Sequence, residues 1–184
     1  GSHGKTTITA MILHVMNYCK VETDFTVGAQ LEGFNTMVSL TNTAKFAVIE
    51  GDEYLASPID RRPKFHLYRP NIAILSGIAW NHINVFPTFE IYVEQFKIFI
   101  ELIEPSGNLI YCSEDKVLDE LCKKTTGNSI SKSPYSVPQN IIENGISLLL
   151  VNDKKIPLQI FGNHNLMNLE GARMACNKIG ISDE

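Results

Sequence analysis

Short runs of consecutive apolar β-formers, set between longer stretches of helical periodicity, constrain this chain more than any other feature. Phe46-Ala47-Val48-Ile49 is one such run and ends in Glu50-Gly51-Asp52-Glu53; Asn71-Ile72-Ala73-Ile74-Leu75 is a second and leads to Trp80-Asn81-His82. Apolar side chains at successive positions point to both faces of a strand, so both faces need cover, as in a parallel sheet between helices. Between Lys5 and Cys19 the residues Ile8, Met11, Ile12, Val15 and Met16 recur at helical spacing. From Thr88 to Glu104 the residues Phe89, Tyr92, Val93, Phe96, Phe99 and Ile100 form another apolar stripe, stopped by Pro105-Ser106-Gly107. Asn108 to Cys112 reads as a strand, Glu114 to Lys124 as a short helix ending near Gly127, and Asn165 to Ile179 as a helix stopped by Gly180. This alternation predicts an α/β fold, a P-loop-type, mainly parallel sheet flanked by helices. Ile146–Val151 and Lys155–Phe161, joined by Asn152-Asp153-Lys154, predict a hairpin, a small antiparallel β appendage near the C-terminal end.

The 184 residues suit one large domain, able to hide roughly 70% of the surface its unfolded form exposes. A net charge of −4, with no clustered basic face, excludes the electrostatic footprint of a nucleic-acid binder. The longest apolar runs are too short to cross a bilayer, so no membrane partner is expected. Cys19, Cys112, Cys122 and Cys176 fit neither a zinc spacing nor a compact disulfide framework, and a reducing, cytoplasmic setting is the economical reading.

Four segments carry chemistry. Gly1-Ser2-His3-Gly4-Lys5-Thr6-Thr7 runs straight into the first helix. Glycines let backbone N–H groups turn toward an anion and the helix N-terminus adds its dipole, so the segment suits a nucleotide phosphate. Lys5 would reach the β- and γ-phosphates, and the Thr6 hydroxyl would ligate magnesium. The common G-x-x-x-x-G-K-[ST] form would need a glycine and a strand ahead of residue 1; Gly-Ser-His is also a remnant that purification tags leave. Glu50-Gly51-Asp52-Glu53 places carboxylates at the carboxyl end of a strand, where ligands of open α/β sheets bind and magnesium finds hard oxygens. A solvated acidic turn is the other reading. His82 lies just past the next strand, as a metal ligand or as a structural histidine. His164-Asn165 with Asn168 offers donors and acceptors for an adenine edge, although Asn163 or Asn165 would serve equally as a helix N-cap.

In this order and spacing the four segments resemble the central, ATP-binding domain of the Mur ligases, along nearly all of the chain. That family's loop has the form G-[ST]-x-G-K-[ST]-[ST], matched by Gly1 to Thr7. An E-x-D-E segment, a strand ending in D-H, and H-N-x-x-N opening a helix follow, and His164 to Asn168 fit the last fully. Asp52-Glu53-Tyr54, Asp60-Arg61-Arg62-Pro63-Lys64-Phe65 and Tyr68-Arg69-Pro70 are similar to the members that join UDP-N-acetylmuramate to a recycled murein tripeptide; the alanine-adding members lack this run. Asn81 stands in place of the usual aspartate, Gly51 of an alanine and Leu55 of an aspartate.

The resemblance implies ATP-dependent amide formation through an acyl phosphate. It assigns Lys5, Glu50 and His82 to catalysis, and Thr6, Glu50 and His82 to magnesium. Gly1 through Thr7 would cradle the phosphates while His164, Asn165 and Asn168 receive the adenine. Arg61, Arg62 and Lys64 would face an anionic substrate or form a solvated basic loop. It further implies that residues 1–184 are one central domain, with an N-terminal UDP-binding domain and a C-terminal domain outside it. The isolated domain is expected to bind nucleotide weakly and not to ligate.

Overall fold

In the computed structural model, which describes residues 3–80, 84–125 and 129–183, the first apolar stripe is helix α1, Lys5–Tyr18. Its inner face buries Ile8, Ile12, Leu13 and Met16. Three short strands follow: β1 (Thr23–Thr26), β2 (Val38–Ser39) and β3 (Phe46–Ile49). β1 is the middle strand, parallel to β3 and antiparallel to β2. A 3-10 turn at Lys64–Leu67 then leads to β4 (Ile72–Leu75).

Helix α2 (Phe89–Glu101) starts where Thr88 accepts a hydrogen bond from the Ile91 amide, the N-cap that threonine favours. It buries Tyr92, Phe96, Phe99 and Ile100, and ends a turn before Glu104. Gly107 is required at the bend that follows, because a Cβ there would sit 2.7 Å from the carbonyl oxygens of both Asn71 and Glu104. β5 (Asn108–Cys112), helix α3 (Lys116–Lys124) and β6 (Ser131–Tyr135) complete a second sheet, β4-β5-β6, parallel throughout. β6 escaped sequence reading because it is polar and contains Pro134. It pairs with β5 on one side only, and a sheet edge tolerates the missing N–H.

The antiparallel appendage has three strands rather than two: β7 (Asn140–Glu143), β8 (Ile146–Val151) and β9 (Lys154–Pro157). Asn144-Gly145 and Asn152-Asp153 make its turns with φ of 51° and 79°, and of 48° and 62°, the left-handed values that two-residue hairpins need. β9 stops at Pro157, short of Phe161. Helix α4 (Asn163–Lys178) packs along α1 and the β4-β5-β6 sheet, burying Leu166, Ala172, Ala175 and Cys176. Coverage on both faces, expected of Phe46–Ile49, is not what β3 shows: its residues alternate half-buried and exposed, with Ile49 44% exposed. β3 and β4 do not pair, and a cleft of about 510 Å³ lies between them.

Candidate functional site

The carboxyl ends of β3 and β4 meet the first turn of α1, which carries no acidic residue of its own. Gly4 caps that helix with φ +79°, a left-handed conformation that favours glycine, and its carbonyl accepts the Ile8 amide at 2.8 Å. The remaining first-turn amides and the helix dipole leave a positive pole facing the crevice. His3 is tied to the far wall, its carbonyl accepting from the Ser76 hydroxyl just past β4 at 2.6 Å.

Two carboxylates from the exit of β3 close on this pole. The Thr6 hydroxyl donates to Glu50 Oε1 at 2.8 Å, while Glu50 Oε2 accepts the Gly28 amide at 3.0 Å. Lys5 Nζ lies 2.9 and 3.1 Å from the two oxygens of Glu53, whose side chain is almost wholly buried. Hydroxyl and carboxylate oxygens brought together at a helix N-terminus are the hard donors that magnesium prefers, and Thr6 with Glu50 fits that ion. The Lys5 ammonium is thus held against a buried carboxylate at the start of α1.

The segment beyond, Asp52 to Phe65, folds back as a closed loop. Leu55 bridges to Pro63, the Lys64 amide donates to the Tyr54 carbonyl, and the Phe65 amide to that of Asp52. Lys64 pairs with Asp52 at 2.7 Å, and Arg62 grips Asp60 at 2.9 and 2.7 Å. Burial works to raise the Asp52 carboxyl, but the Lys64 hydrogen bond, the Tyr54 amide and the charges of Lys64 and Lys5 outweigh it and hold it below its ordinary 3.8. Arg62 draws the Asp60 carboxyl down to about 2. Arg62 and Lys64 therefore shape the loop, whereas Arg61 is exposed.

At the opening of α4 the three predicted residues part company. His164 is exposed, and Asn165 is half-buried with its Nδ2 donating to the Phe161 carbonyl at 3.0 Å. The N-cap is Gly162, not Asn163 or Asn165. Asn168 lies one turn deeper and is 2% exposed; its Oδ1 would stand 2.2 Å from a Cβ on Gly4. Position 4 thus needs glycine for space as well as for φ. Asn168 Nδ2 is buried with no hydrogen-bond partner among the described residues, so the asparagine abuts the loop rather than reaching outward.

Gly1, Ser2, Asn81 and His82 lie outside the described residues. Thr7 is exposed on α1. Among the described residues no group of three or more histidine, cysteine, aspartate or glutamate side chains could hold a metal, and no helix is long and apolar enough to cross a membrane. Three contributors escaped sequence reading. Glu53 was visible within the acidic segment but carried no signal of its pairing with Lys5. Gly28 and Asp115 were invisible; Asp115 caps α3 through the Leu118 amide and holds the Ile78 amide at 2.6 Å, pinning the β4 exit.

Comparison with known proteins agrees with this geometry. A family model described as the Mur ligase middle domain matches residues 1–176. A UDP-N-acetylmuramate–L-alanine ligase of Parabacteroides distasonis is 34% identical over 76% of this chain and 28% of its own length. One from Mycobacterium leprae is 27% identical over the whole chain, which spans 39% of that relative's length. Among solved structures, the UDP-N-acetylmuramate:L-alanyl-gamma-D-glutamyl-meso-diaminopimelate ligase of Neisseria meningitides superposes with a TM-score of 0.83 at 25% identity, covering 98% of this chain and 60% of that one. A Thermotoga maritima MurF ligase in complex with ADP shares the fold with a TM-score of 0.73 at 16% identity, over 100% of this chain and 45% of that one.

Proposed function

This chain belongs to the Mur ligase family, as its middle domain, and from that premise we propose that it is the ATP- and magnesium-binding unit of a ligase joining UDP-N-acetylmuramate to a murein tripeptide. The observation that carries the nucleotide reading is the convergence of Lys5, Thr6 and Glu50 on the first turn of α1. Lys5 leaves Glu53 for the β- and γ-phosphates, and the loop amides donate to the remaining phosphate oxygens. Thr6 and Glu50 would hold magnesium, which would supply charge neutralisation for phosphoryl transfer. His82 joins this set as a further ligand and catalytic residue. His164 and Asn165, at the accessible start of α4, receive the adenine, and Asn168 supports the loop from beneath. Gly1 to Thr7 form the cradle. The substrate carboxylate attacks the γ-phosphate of ATP, giving an acyl phosphate and releasing ADP, and the incoming amine then displaces phosphate to form the amide.

Support for the tripeptide comes from the Asp52–Pro70 stretch and from the likeness to the Neisseria enzyme. The L-alanine alternative is favoured by the relatives that carry that activity in their names. The UDP-sugar site and the closing C-terminal domain belong to polypeptide outside residues 1–184. Supplying the longer protein with ATP, UDP-N-acetylmuramate and either amine distinguishes the two readings. Amide formation with tripeptide is expected; formation with L-alanine alone transfers the domain to the alternative.

A further inference from the structure

A side chain held at a fixed distance from a reaction centre can discriminate between substrates of different length, provided the backbone beneath it is stiff. The loop from Asp52 to Phe65 meets that condition. The Lys64 amide donates to the Tyr54 carbonyl at 2.9 Å and the Ala56 amide to the Arg62 carbonyl at 2.8 Å. The Ser57 amide donates to the Asp60 carbonyl at 3.1 Å, and Ser57 Oγ accepts the Asp60 amide at 2.9 Å. The segment is therefore a hairpin laddered up to its turn. Phe65 anchors its base in the core, with its ring centroid 5.1 Å from that of Phe99 and 5.6 Å from that of Phe96 on α2. The base also adjoins the candidate site, because Glu53, the partner of Lys5, directly precedes Tyr54.

The charges of the hairpin are matched with one exception. Glu53 faces Lys5, Asp52 faces Lys64 and Asp60 faces Arg62. Arg61 is exposed and has no ion pair among the described residues. A solvated arginine on a turn is ordinary, but this one is held in place. Its two neighbours clasp one another, Asp60 Oδ1 accepting both the Arg62 amide at 3.1 Å and Arg62 Nε at 2.9 Å. Beside the clasp Ile59 is 95% exposed, so nothing in the domain covers the tip.

Reach decides what Arg61 can meet. Leu55 bridges Pro63, which sets Arg61 opposite Ser57, three residues up the ladder from Tyr54. At about 3.3 Å per residue the tip stands about 10 Å beyond the Lys5–Glu53 pair. Three residues of extended peptide also span about 10 Å. A tripeptide whose amine reacts beside Lys5, Thr6 and Glu50 would bring its far carboxylates level with Arg61. The carboxylate of a single amino acid stays beside its own nitrogen and falls short. A planar guanidinium matches the two oxygens of a carboxylate better than an ammonium does.

On the ligase reading above, we propose that Arg61 is a specificity-determining residue that binds a carboxylate of the incoming acidic peptide, distal to its reacting amine. The laddered hairpin sets the distance between that contact and the reaction centre, and Arg62 and Lys64 hold the hairpin rather than the substrate.

The test is steady-state amide formation by the longer protein that carries these residues, with the tripeptide and with a tripeptide whose distal carboxylates are amidated. Arg61→Ala is expected to raise KM for the tripeptide about 10- to 100-fold, as loss of a charge-assisted contact does. The kcat and the KM values for ATP and UDP-N-acetylmuramate should stay within about twofold. Wild-type protein should lose the same factor on the amidated peptide, and Arg61→Ala should lose little more on it, because both changes remove one contact. Arg61→Lys should recover part of the loss. An unchanged tripeptide KM in Arg61→Ala, or a rise in the UDP-N-acetylmuramate KM alone, overturns the assignment and leaves the ligase reading intact. Should the variant not fold, wild-type protein decides, and equal KM values for the two peptides overturn the assignment. Wild-type protein that joins no tripeptide overturns the reading and the assignment together.

Discussion

β5 and β3 read alike from their side chains, yet the fold treats them differently. β5 has a strand on either side and helices over its faces, and Leu109 and Ile110 are fully buried. β3 has β1 on one side and the cleft on the other, and it leaves Ile49 44% exposed. An apolar run thus records the environment that a strand requires, while its neighbours decide whether that environment is met. The β5 side of the molecule is a sealed core; the β3 side is a working edge that carries the site residues.

The contrast can be broken most sharply with thiol chemistry. Cys122 is buried against β5, and that burial pushes its thiol up to about 12; Cys176 rises to about 11, chiefly by burial with a smaller push from Cys19. Cys19 is exposed. At pH 8 an aromatic disulfide reagent should modify Cys19 at least about 100-fold faster than Cys122, because the thiolate is the nucleophile. Comparable rates would show that the β5 side opens readily.

Substitutions probe the same difference in energy. Leu109→Ala should lower the unfolding free energy by about 3 kcal/mol in urea titrations, through lost burial and the cavity left behind. Ile49→Ala should cost about 0.5 kcal/mol, as exposed positions usually do. Equal costs would erase the distinction between the two strands.

Much of this was legible in the sequence, for a physical reason. Helices α1, α2 and α4 announce themselves because 3.6-residue periodicity is local, and the glycine-lysine-threonine motif that opens α1 because its spacing is local too. β1, β2 and β6 were not legible. Thr23–Thr26 and Ser131–Tyr135 are polar, and they are strands because β3 and β5 offer them edges rather than through their own hydrophobicity. β7 could have been found, since Asn144-Gly145 is a strong hairpin signal. The Lys5–Glu53 and Thr6–Glu50 pairs join residues 48 and 44 positions apart, contacts that only the tertiary fold creates.

Those pairs give the next prediction. Lys5→Ala should weaken ATP binding about tenfold to 100-fold by calorimetry, the worth of a charge-assisted bond to phosphate. Glu53→Gln should act in the opposite direction, strengthening ATP a few-fold by about 0.5 to 1 kcal/mol, because Lys5 no longer has to leave a carboxylate. Parallel losses in both variants would contradict the partner exchange assigned to Lys5.

A further small effect is at the loop beyond β3. Asp52 titrates below its ordinary 3.8, so its pairing stabilises the fold above that pH and the contribution is lost as pH falls through the folded value. The pair is partly exposed and screened, so the loss should stay below about 1 kcal/mol. Carboxyl NMR should place Asp52 below 3.8, and Lys64→Met should move it upward; no movement would remove Lys64 as its partner.

The central claim, a ligase domain acting on a muramyl substrate, meets its most direct test in phosphate release by the longer protein that carries these residues. With ATP and magnesium, release of one phosphate per amide formed should require UDP-N-acetylmuramate and the tripeptide together. Phosphate release at the same rate without the muramyl substrate would contradict the account.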